Sequence, residues 1–353
     1  MTRGPTLAVV GATGAIGRVV LDLLPLRADV WGDIRLAASS DDAGATMSVL
    51  GREVVVEPLS EQFFDGVDVA VFDLPPHMAL TWAPVAAARG AVVVDNSADF
   101  GLDPDVPLVV TTVNLRAARR RPKGIVAVPG ATVLTIIDAL AVLHERWELT
   151  ELVLTTFQAA SGVGRQGMAR LYDEIDLVAG NRSLGQMPGD IRRLVEAELG
   201  PSPFPAPLAL NVIPWVGSSA DDGWTTEEAK VRDELGKILD EDELRVSVTC
   251  VRVPVVTVHS VAVHARFVRP VAVERARRVL MDAPNVVVLD DPDHHEFPTP
   301  TDAVGSDPCF VGRIRQPAGS PKALDFFICG DNLRSGAAVT MVELAERIAA
   351  GKA

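Results

Sequence analysis

Cysteine, aromatic side chains and positive charge are all scarce in this chain. Its 353 residues include three cysteines, one tyrosine and 5% aromatics. Cys250, Cys309 and Cys329 form no C-x-x-C pair. That pattern does not suggest a disulfide framework and suits the reduced cytoplasm. The isolated His294-His295 pair has no ligand-like neighbours in sequence, so no metal is expected. Lysine and arginine number 33 against 47 acidic residues, a net charge of −14. Such a balance argues against nucleic acid as a partner. The one basic run, Arg119-Arg120-Arg121, reads as a solvated loop or helix end. No apolar run approaches the ~20 residues of a membrane helix, so no membrane partner is expected. Met1 to Pro5 leads straight into a predicted strand, so no signal peptide is expected. Internal repeats and long low-complexity segments are absent.

What is present is aliphatic. Hydrophobic residues make up 48% of the chain, and Val, Leu, Ala and Ile must fill its cores. The length suggests two domains. In the first 130 residues, Leu7 to Val10, Ile34 to Ala38, Val69 to Phe72, Ala91 to Val94, Leu108 to Val110 and Ile125 to Ala127 read as short buried strands. Ile16 to Leu24 and Met78 to Ala88 read as helices between them. The alternation predicts a parallel sheet with helices on its faces. Beyond residue 150 the strands lengthen and become β-branched: Glu151 to Thr156, Arg245 to Val255 and Val261 to Val268. The last two are joined through Thr257-Val258-His259, which suggests neighbours in a mixed or antiparallel sheet. Thr225 to Leu239 and Gly336 to Ala350 read as helices.

Gly11, Gly14 and Gly17, with Thr13, Ala15 and Ile16 among them, follow the first strand and open the first helix. Glycine there permits a tight turn and close approach of backbone to a pyrophosphate, which then sits on the helix N-terminus. The other reading is a glycine-rich turn that has kept its shape and lost its ligand. The second strand runs into Ser39, Ser40 and Asp41. An acidic residue at that strand end accepts a hydrogen bond from a free ribose 2′-hydroxyl. It reads equally as a solvent-facing carboxylate.

Four further segments carry a resemblance: Val128-Pro129-Gly130-Ala131-Thr132, Thr155 to Gly162, Cys250 to Ser260, and Asp331-Asn332-Leu333-Arg334-Ser335-Gly336-Ala337-Ala338. With the glycine turn, they make the chain similar to aspartate-β-semialdehyde dehydrogenases over nearly its whole length. The resemblance implies an α/β protein with a Rossmann-type dinucleotide-binding domain and an α+β domain for substrate binding and dimerisation. It implies a discontinuous first domain, residues 1–130 plus 331–353, around a second at 131–330, and a homodimer. His259 then matches the family's acid/base and Gln158 the residue that orients the intermediate. Arg252 matches the carboxylate grip, Glu227 the amine ligand and Lys230 a phosphate ligand. Asn332 falls in the stretch that borders the nicotinamide. Each has a second reading: Arg252 as a strand arginine in an ion pair, His259 as a satisfied buried histidine, Gln158 as a structural hydrogen-bonder, Glu227 and Lys230 as an i,i+3 helix pair.

The departures from the family are as informative. Ala131 stands where the family has its nucleophilic cysteine. Gly130 and Gly101 replace an asparagine and an arginine associated with phosphate. Asp41 stands where an arginine usually holds the 2′-phosphate of NADP, so NAD is expected to be favoured over NADP. Phe72-Asp73-Leu74-Pro75-Pro76 replaces a Ser/Ala/Gly-rich turn beside the cofactor. Cys250 faces the same side of its strand as Arg252 and is the remote substitute nucleophile. The losses fall on thiol and phosphate chemistry, and the grips for an amino-acid-like molecule remain. The expectation is a repurposed NAD(P)-dependent oxidoreductase acting without a thioester on a small amino-acid or dicarboxylate-type substrate. The alternatives are a lyase or cyclase on a related substrate, and a non-catalytic paralogue that binds ligand or partner subunits.

Overall fold

The computed structural model describes residues 4–27, 29–38, 42–97 and 99–353, with Pro76 described by its backbone alone. The chain divides into two compact units. One extends to Leu134 and adds Asp233–Asp242 and Leu333–Ala353; the other comprises Thr135–Arg232 and Glu243–Asn332.

The first unit carries β1 (Thr6–Val10), β2 (Asp33–Ala38), β3 (Thr46–Val49), β4 (Arg52–Pro58), β5 (Val69–Phe72), β6 (Val92–Asp95) and β7 (Ile125–Ala127). They form a seven-stranded sheet in the order β3-β4-β2-β1-β5-β6-β7. Every pairing is parallel except β3 with β4. Val69 to Phe72 is buried along its whole length, as a parallel strand covered on both faces requires. α1 (Ala15–Leu23) follows β1, and α2 (Pro76–Ala88) follows β5. Strand order reverses at β1, so the turn after β1 sits at the sheet's switch point, where such folds bind ligands. The β3–β4 hairpin went unread in the sequence. Its turn is Leu50-Gly51, with φ of 53° and 72°, the paired left-handed conformation that a two-residue hairpin demands.

One expected strand fails. Leu108 to Val110 makes only an isolated bridge, Leu108 to Ala127. The Asn114 side chain takes over both edges of the segment. Its oxygen accepts the Val110 N–H at 2.8 Å and its amide donates to the Leu108 carbonyl at 2.9 Å. The backbone groups a strand would offer a neighbour are thereby used locally.

Next come α3 (Ala131–Trp147), then β8 (Leu149–Gln158), α4 (Gly164–Val178), α5 (Asp190–Leu199), α6 (Thr226–Leu239), β9 (Arg245–Arg252) and β10 (His259–Phe267). α7 (Val273–Met281), β11 (Val286–Val288), α8 (Pro300–Ala303), β12 (Cys309–Arg315) and β13 (Ala323–Gly330) follow. The six strands order as β11-β12-β13-β10-β8-β9. The sheet is mixed, but β9 and β10 are not neighbours: β8 lies between them, parallel to β9 and antiparallel to β10. The segment 253–258 therefore crosses the end of β8. Pro254, which has no N–H, helps end β9 at Arg252. Along β8, Leu152, Leu154, Thr156 and Gln158 are buried, whereas Val153, Thr155 and Phe157 face outward. A buried ion pair fastens the long connection after α5. Glu174 accepts from Arg170 Nε at 2.9 Å and from the Leu208 and Ala209 N–H groups, and Arg170 donates to the carbonyls of Leu199, Gly200 and Pro201.

α9 (Val339–Ala349) closes the chain and packs on α1, β5 and β6 within the first unit. Among the described residues, no helix is long and apolar enough to cross a membrane.

Candidate functional site

The glycine turn is shaped by backbone. Gly11 has φ of 92°, and a Cβ on it would collide with the Asp73 carbonyl. A Cβ on Gly17 would collide with the Gly11 carbonyl. The Gly11 and Ala12 N–H groups donate to the Ala37 carbonyl at 2.8 and 3.2 Å, which ties the turn to β2. Gly14 caps α1 without a side-chain hydrogen bond, so the cap residue itself takes none of the helix's first N–H groups. A turn stripped of side chains at a helix N-terminus fits a pyrophosphate. Ala15 and Ile16 form that first helical turn, half-buried. The Thr13 hydroxyl donates to Asp42 Oδ2 at 2.7 Å. Ser39 and Asp41 lie outside the described residues.

Two carboxylates stand beside this turn. Asp73 follows β5, and its N–H donates to the Val10 carbonyl at 2.9 Å. Burial pushes its carboxyl above the usual range, opposed by hydrogen bonds from Asn96 and from the Gly17 N–H. Asp95, fully buried at the end of β6, accepts from the Ser97 N–H at 3.0 Å and from the Ser97 hydroxyl at 2.6 Å. Burial raises it to about 6 despite those bonds, with Asp99 and Asp73 adding to the rise. Pro75 and Pro76 open α2, where a missing N–H leaves no helix bond unmade.

In the second unit, strand register brings Gln158 and Arg252 level on β8 and β9, with His259 at the start of β10. The peptide of Ala159 joins them. Its carbonyl accepts from the Arg252 guanidinium at 2.6 Å, and its N–H donates to His259 Nδ1 at 3.2 Å. Nδ1 is thus an acceptor, and the neutral ring carries its proton on Nε2. Burial, and then the Arg252 charge, lowers His259 to about 3. Burial also lowers Arg252, and Glu227 opposes it. Gln158 Nε2 donates to Glu227 Oε1 at 3.2 Å, so Glu227 serves both neighbours. Gln158, Arg252 and His259 are almost wholly buried; Glu227 and Lys230 are half-buried, one turn apart near the start of α6. Exposed Gly162 lies against this cluster. A Cβ there would press on the Arg252 guanidinium and lie 3.3 Å from His259 Cε1.

Asn332, expected at the nicotinamide, belongs to this unit. Its side-chain oxygen accepts the Ser161 hydroxyl and the Val258 N–H, each at 2.9 Å. Val258 has φ of 89°, costly for a β-branched residue, and it directly precedes His259. Asn332 therefore pins the strained residue that aims the histidine. Val258 and Ser161 lie within segments that carry the resemblance, but neither was assigned a role from the sequence. Cys250 is fully buried, and burial pushes its thiol up to about 12, which unsuits it as a nucleophile.

Three departures also have settings. Ala131 is the first residue of α3. Beside it, the Gly130 N–H donates to the buried Glu234 carboxylate at 2.9 Å. The Gly101 carbonyl accepts from Lys237, which also caps the carbonyls of Asp103 and Val106. Side chains of α6 thus hold both glycines. Among the described residues, no group of three or more His, Cys, Asp or Glu could hold a metal.

Comparison with known proteins identifies the family. Residues 6–120 match the description "Semialdehyde dehydrogenase, NAD binding domain", and residues 140–335 match "Semialdehyde dehydrogenase, dimerisation domain". The chain is 39% identical to aspartate-semialdehyde dehydrogenase of Streptomyces akiyoshiensis, covering 98% of each. It is 38% identical to that of Mycolicibacterium smegmatis, covering 98% of this chain and 99% of the other. Aspartate semialdehyde dehydrogenase II of Vibrio cholerae, solved in complex with ASA, superposes with a TM-score of 0.88 at 31% identity over 98% of both chains. With an NAD(P)-binding Rossmann-type unit and a second, mixed-sheet unit matched end to end, the chain belongs to the aspartate-semialdehyde dehydrogenase family of oxidoreductases.

Proposed function

We propose that this member acts without a thioester, as an NAD(P)-dependent oxidoreductase on a small amino-acid or dicarboxylate-type substrate. The observation that carries the reading is the Ala159 peptide, which holds Arg252 by its carbonyl and His259 by its N–H. Arg252 grips the substrate carboxylate, with Gln158 and Glu227 fixing the orientation and the amine. His259 presents the Nε2 proton to the substrate's carbonyl or imine group. At its depressed basicity the ring works as a neutral hydrogen-bond donor. A carboxylate on Arg252 would cancel part of the charge that depresses it.

Gly11, Thr13, Gly14, Ala15, Ile16 and Gly17 hold the dinucleotide, which supplies the hydride chemistry when bound. Ala131, at the position of the family's cysteine, leaves no group for acyl transfer. Loss of a covalent nucleophile lowers rates by as much as on the order of 10⁶ in serine proteases. Gly130, where the resemblance puts an asparagine associated with phosphate, gives its N–H to the Glu234 carboxylate, which supports a reaction without phosphate. Lys230 is then a second contact for substrate. The outward face of the six-stranded sheet, with Phe157 against Phe327 at 6.0 Å, pairs two copies of the chain in a homodimer.

Calorimetry with L-aspartate and succinate tests binding, and NADH oxidation with aspartate semialdehyde as the carbonyl acceptor, without phosphate, tests turnover. Arg252→Ala should weaken ligand binding by roughly 2–5 kcal/mol. His259→Ala should leave binding intact and abolish turnover. Phosphate-dependent NADP reduction by aspartate semialdehyde should be absent, and Ala131→Cys alone should not restore it. If Arg252→Ala and His259→Ala bind and react like the parent, the non-catalytic alternative stands in its place.

A further inference from the structure

We propose that Asp73 is a charge gate on the dinucleotide site: its carboxylate stands in the mouth of the Gly11–Gly17 turn and opposes the pyrophosphate that the turn is shaped to receive. The inference rests on the NAD(P)-binding domain alone and is independent of the reaction proposed above.

Position comes first. Asp73 leaves β5 beside β1, and its N–H bond to the Val10 carbonyl seats it against the turn. Its own carbonyl lies where a Cβ on Gly11 would be, so residue and turn are in backbone contact. Its Oδ2 lies 3.2 Å from the Cβ position of Gly14, the cap of α1. Asn96 Nδ2 reaches its Oδ1 at 3.4 Å, and the Gly17 N–H holds the carboxylate from the helix side. A side-chain carboxyl thus takes one of the first-turn N–H groups that a helix N-terminus offers to phosphate oxygens.

Charge comes second. Both of these partners of Asp73, Asn96 and Gly17, are neutral. Asp95, at the end of β6, is close enough for the Asp73 charge to raise it further, so the nearest ionisable neighbour is also acidic. Arg18 on α1 points its Nε to the Thr13 carbonyl at 3.2 Å. A pyrophosphate would bring further negative charge into this setting, and like charges juxtaposed with little solvent repel strongly. Binding then requires the Asp73 side chain to turn away or to take up a proton, and the affinity falls below what the backbone cradle alone allows.

The test is binding, not turnover. NADH, ADP-ribose and adenosine are titrated by calorimetry against the parent, Asp73→Asn, Asp73→Ser and the exposed-site control Asp293→Asn, at neutral pH and low salt. Both Asp73 variants should bind NADH and ADP-ribose at least about tenfold more tightly than the parent, because charge opposes only the phosphates. Adenosine should change by less than about twofold, since it carries no phosphate. Unchanged NADH affinity in both variants overturns the proposal, as does an equal gain for adenosine. An equal gain in Asp293→Asn overturns it too, because net charge would then be the cause. Absence of measurable NADH binding in the parent and both Asp73 variants also overturns it.

Discussion

The turn at Gly11 and the cluster around His259 are built by opposite means. The turn is defined by where side chains are missing: three glycines, an uncapped helix and backbone hydrogen bonds to the next strand. The cluster is defined by buried polar side chains that hold one another through a single peptide, that of Ala159. A backbone site keeps its shape when charges around it change and loses it when an atom is added, whatever those charges do to its ligand. A side-chain site is the reverse, because each member depends on its neighbours' charges and hydrogen bonds. Their buried ionisable groups show the contrast. Beside the turn, Asp95 is raised; in the cluster, His259 is lowered.

The largest expected effect sets these two groups against each other. His259 is depressed in the folded chain from 6.5 to about 3, so its contribution is intact above 6.5 and is lost as pH falls toward 3. Between pH 7 and pH 4 that loss is about 3 kcal/mol. Asp95 is raised from 3.8 to about 6, so its contribution is intact below 3.8 and is lost as pH rises through 6. Over the same fall in pH it returns about 2–3 kcal/mol. The two slopes nearly cancel. Urea unfolding at both pH values should show His259→Gln gaining stability relative to the parent on acidification and Asp95→Asn losing it. Equal pH slopes in all three proteins would show that neither group is held as the geometry implies.

Next in size is Gly11→Ala. The added methyl meets the Asp73 carbonyl, and φ of 92° is unfavourable for any residue with a Cβ. Backbone has to move, and a loss of about 2–3 kcal/mol is expected from overpacking and strain. Hydrogen exchange should place the loss in β1 and α1. A change below about 0.5 kcal/mol would mean the turn has more room than the structure gives it.

The same contrast explains what was legible in the sequence. Gly11, Gly14 and Gly17 are three letters at fixed spacing in one turn, and the alternation of β1, α1 and β2 placed them. The family's own motifs brought forward Gln158, Arg252 and His259. The order β10-β8-β9 was not legible, because the short link 253–258 suggested adjacency and only packing inserts β8 between the two strands. Leu108 to Val110 misled because its apolar run is strand-like while the competing Asn114 side chain lies outside it. Asp73 was visible as a departure, but a one-dimensional pattern does not say that its carboxylate returns to the cap of α1. Nor does any local preference foretell Val258 in a left-handed conformation; its support comes from Asn332, 74 residues further on.

The smallest effect on stability, and the sharpest probe of the contrast, is Gly162→Ala. Gly162 is exposed and does not have positive φ, so an alanine there meets no backbone strain. Its methyl would press on the Arg252 guanidinium and crowd His259 Cε1 and Nε2. The arginine head is the far end of a flexible side chain and is able to move, so stability should fall by less than about 1 kcal/mol. Movement of Arg252, however, loosens its bond to the Ala159 carbonyl, and the same peptide orients His259. Ligand binding should therefore weaken by roughly tenfold or more, in line with the loss of one charged hydrogen bond. In Gly11→Ala an added methyl breaks the fold where there is no side chain to yield; in Gly162→Ala it spares the fold and spoils the site. Calorimetry with L-aspartate beside a thermal melt separates the two outcomes. A Gly162→Ala protein with parental affinity would show that the guanidinium does not need its Ala159 contact to hold a carboxylate.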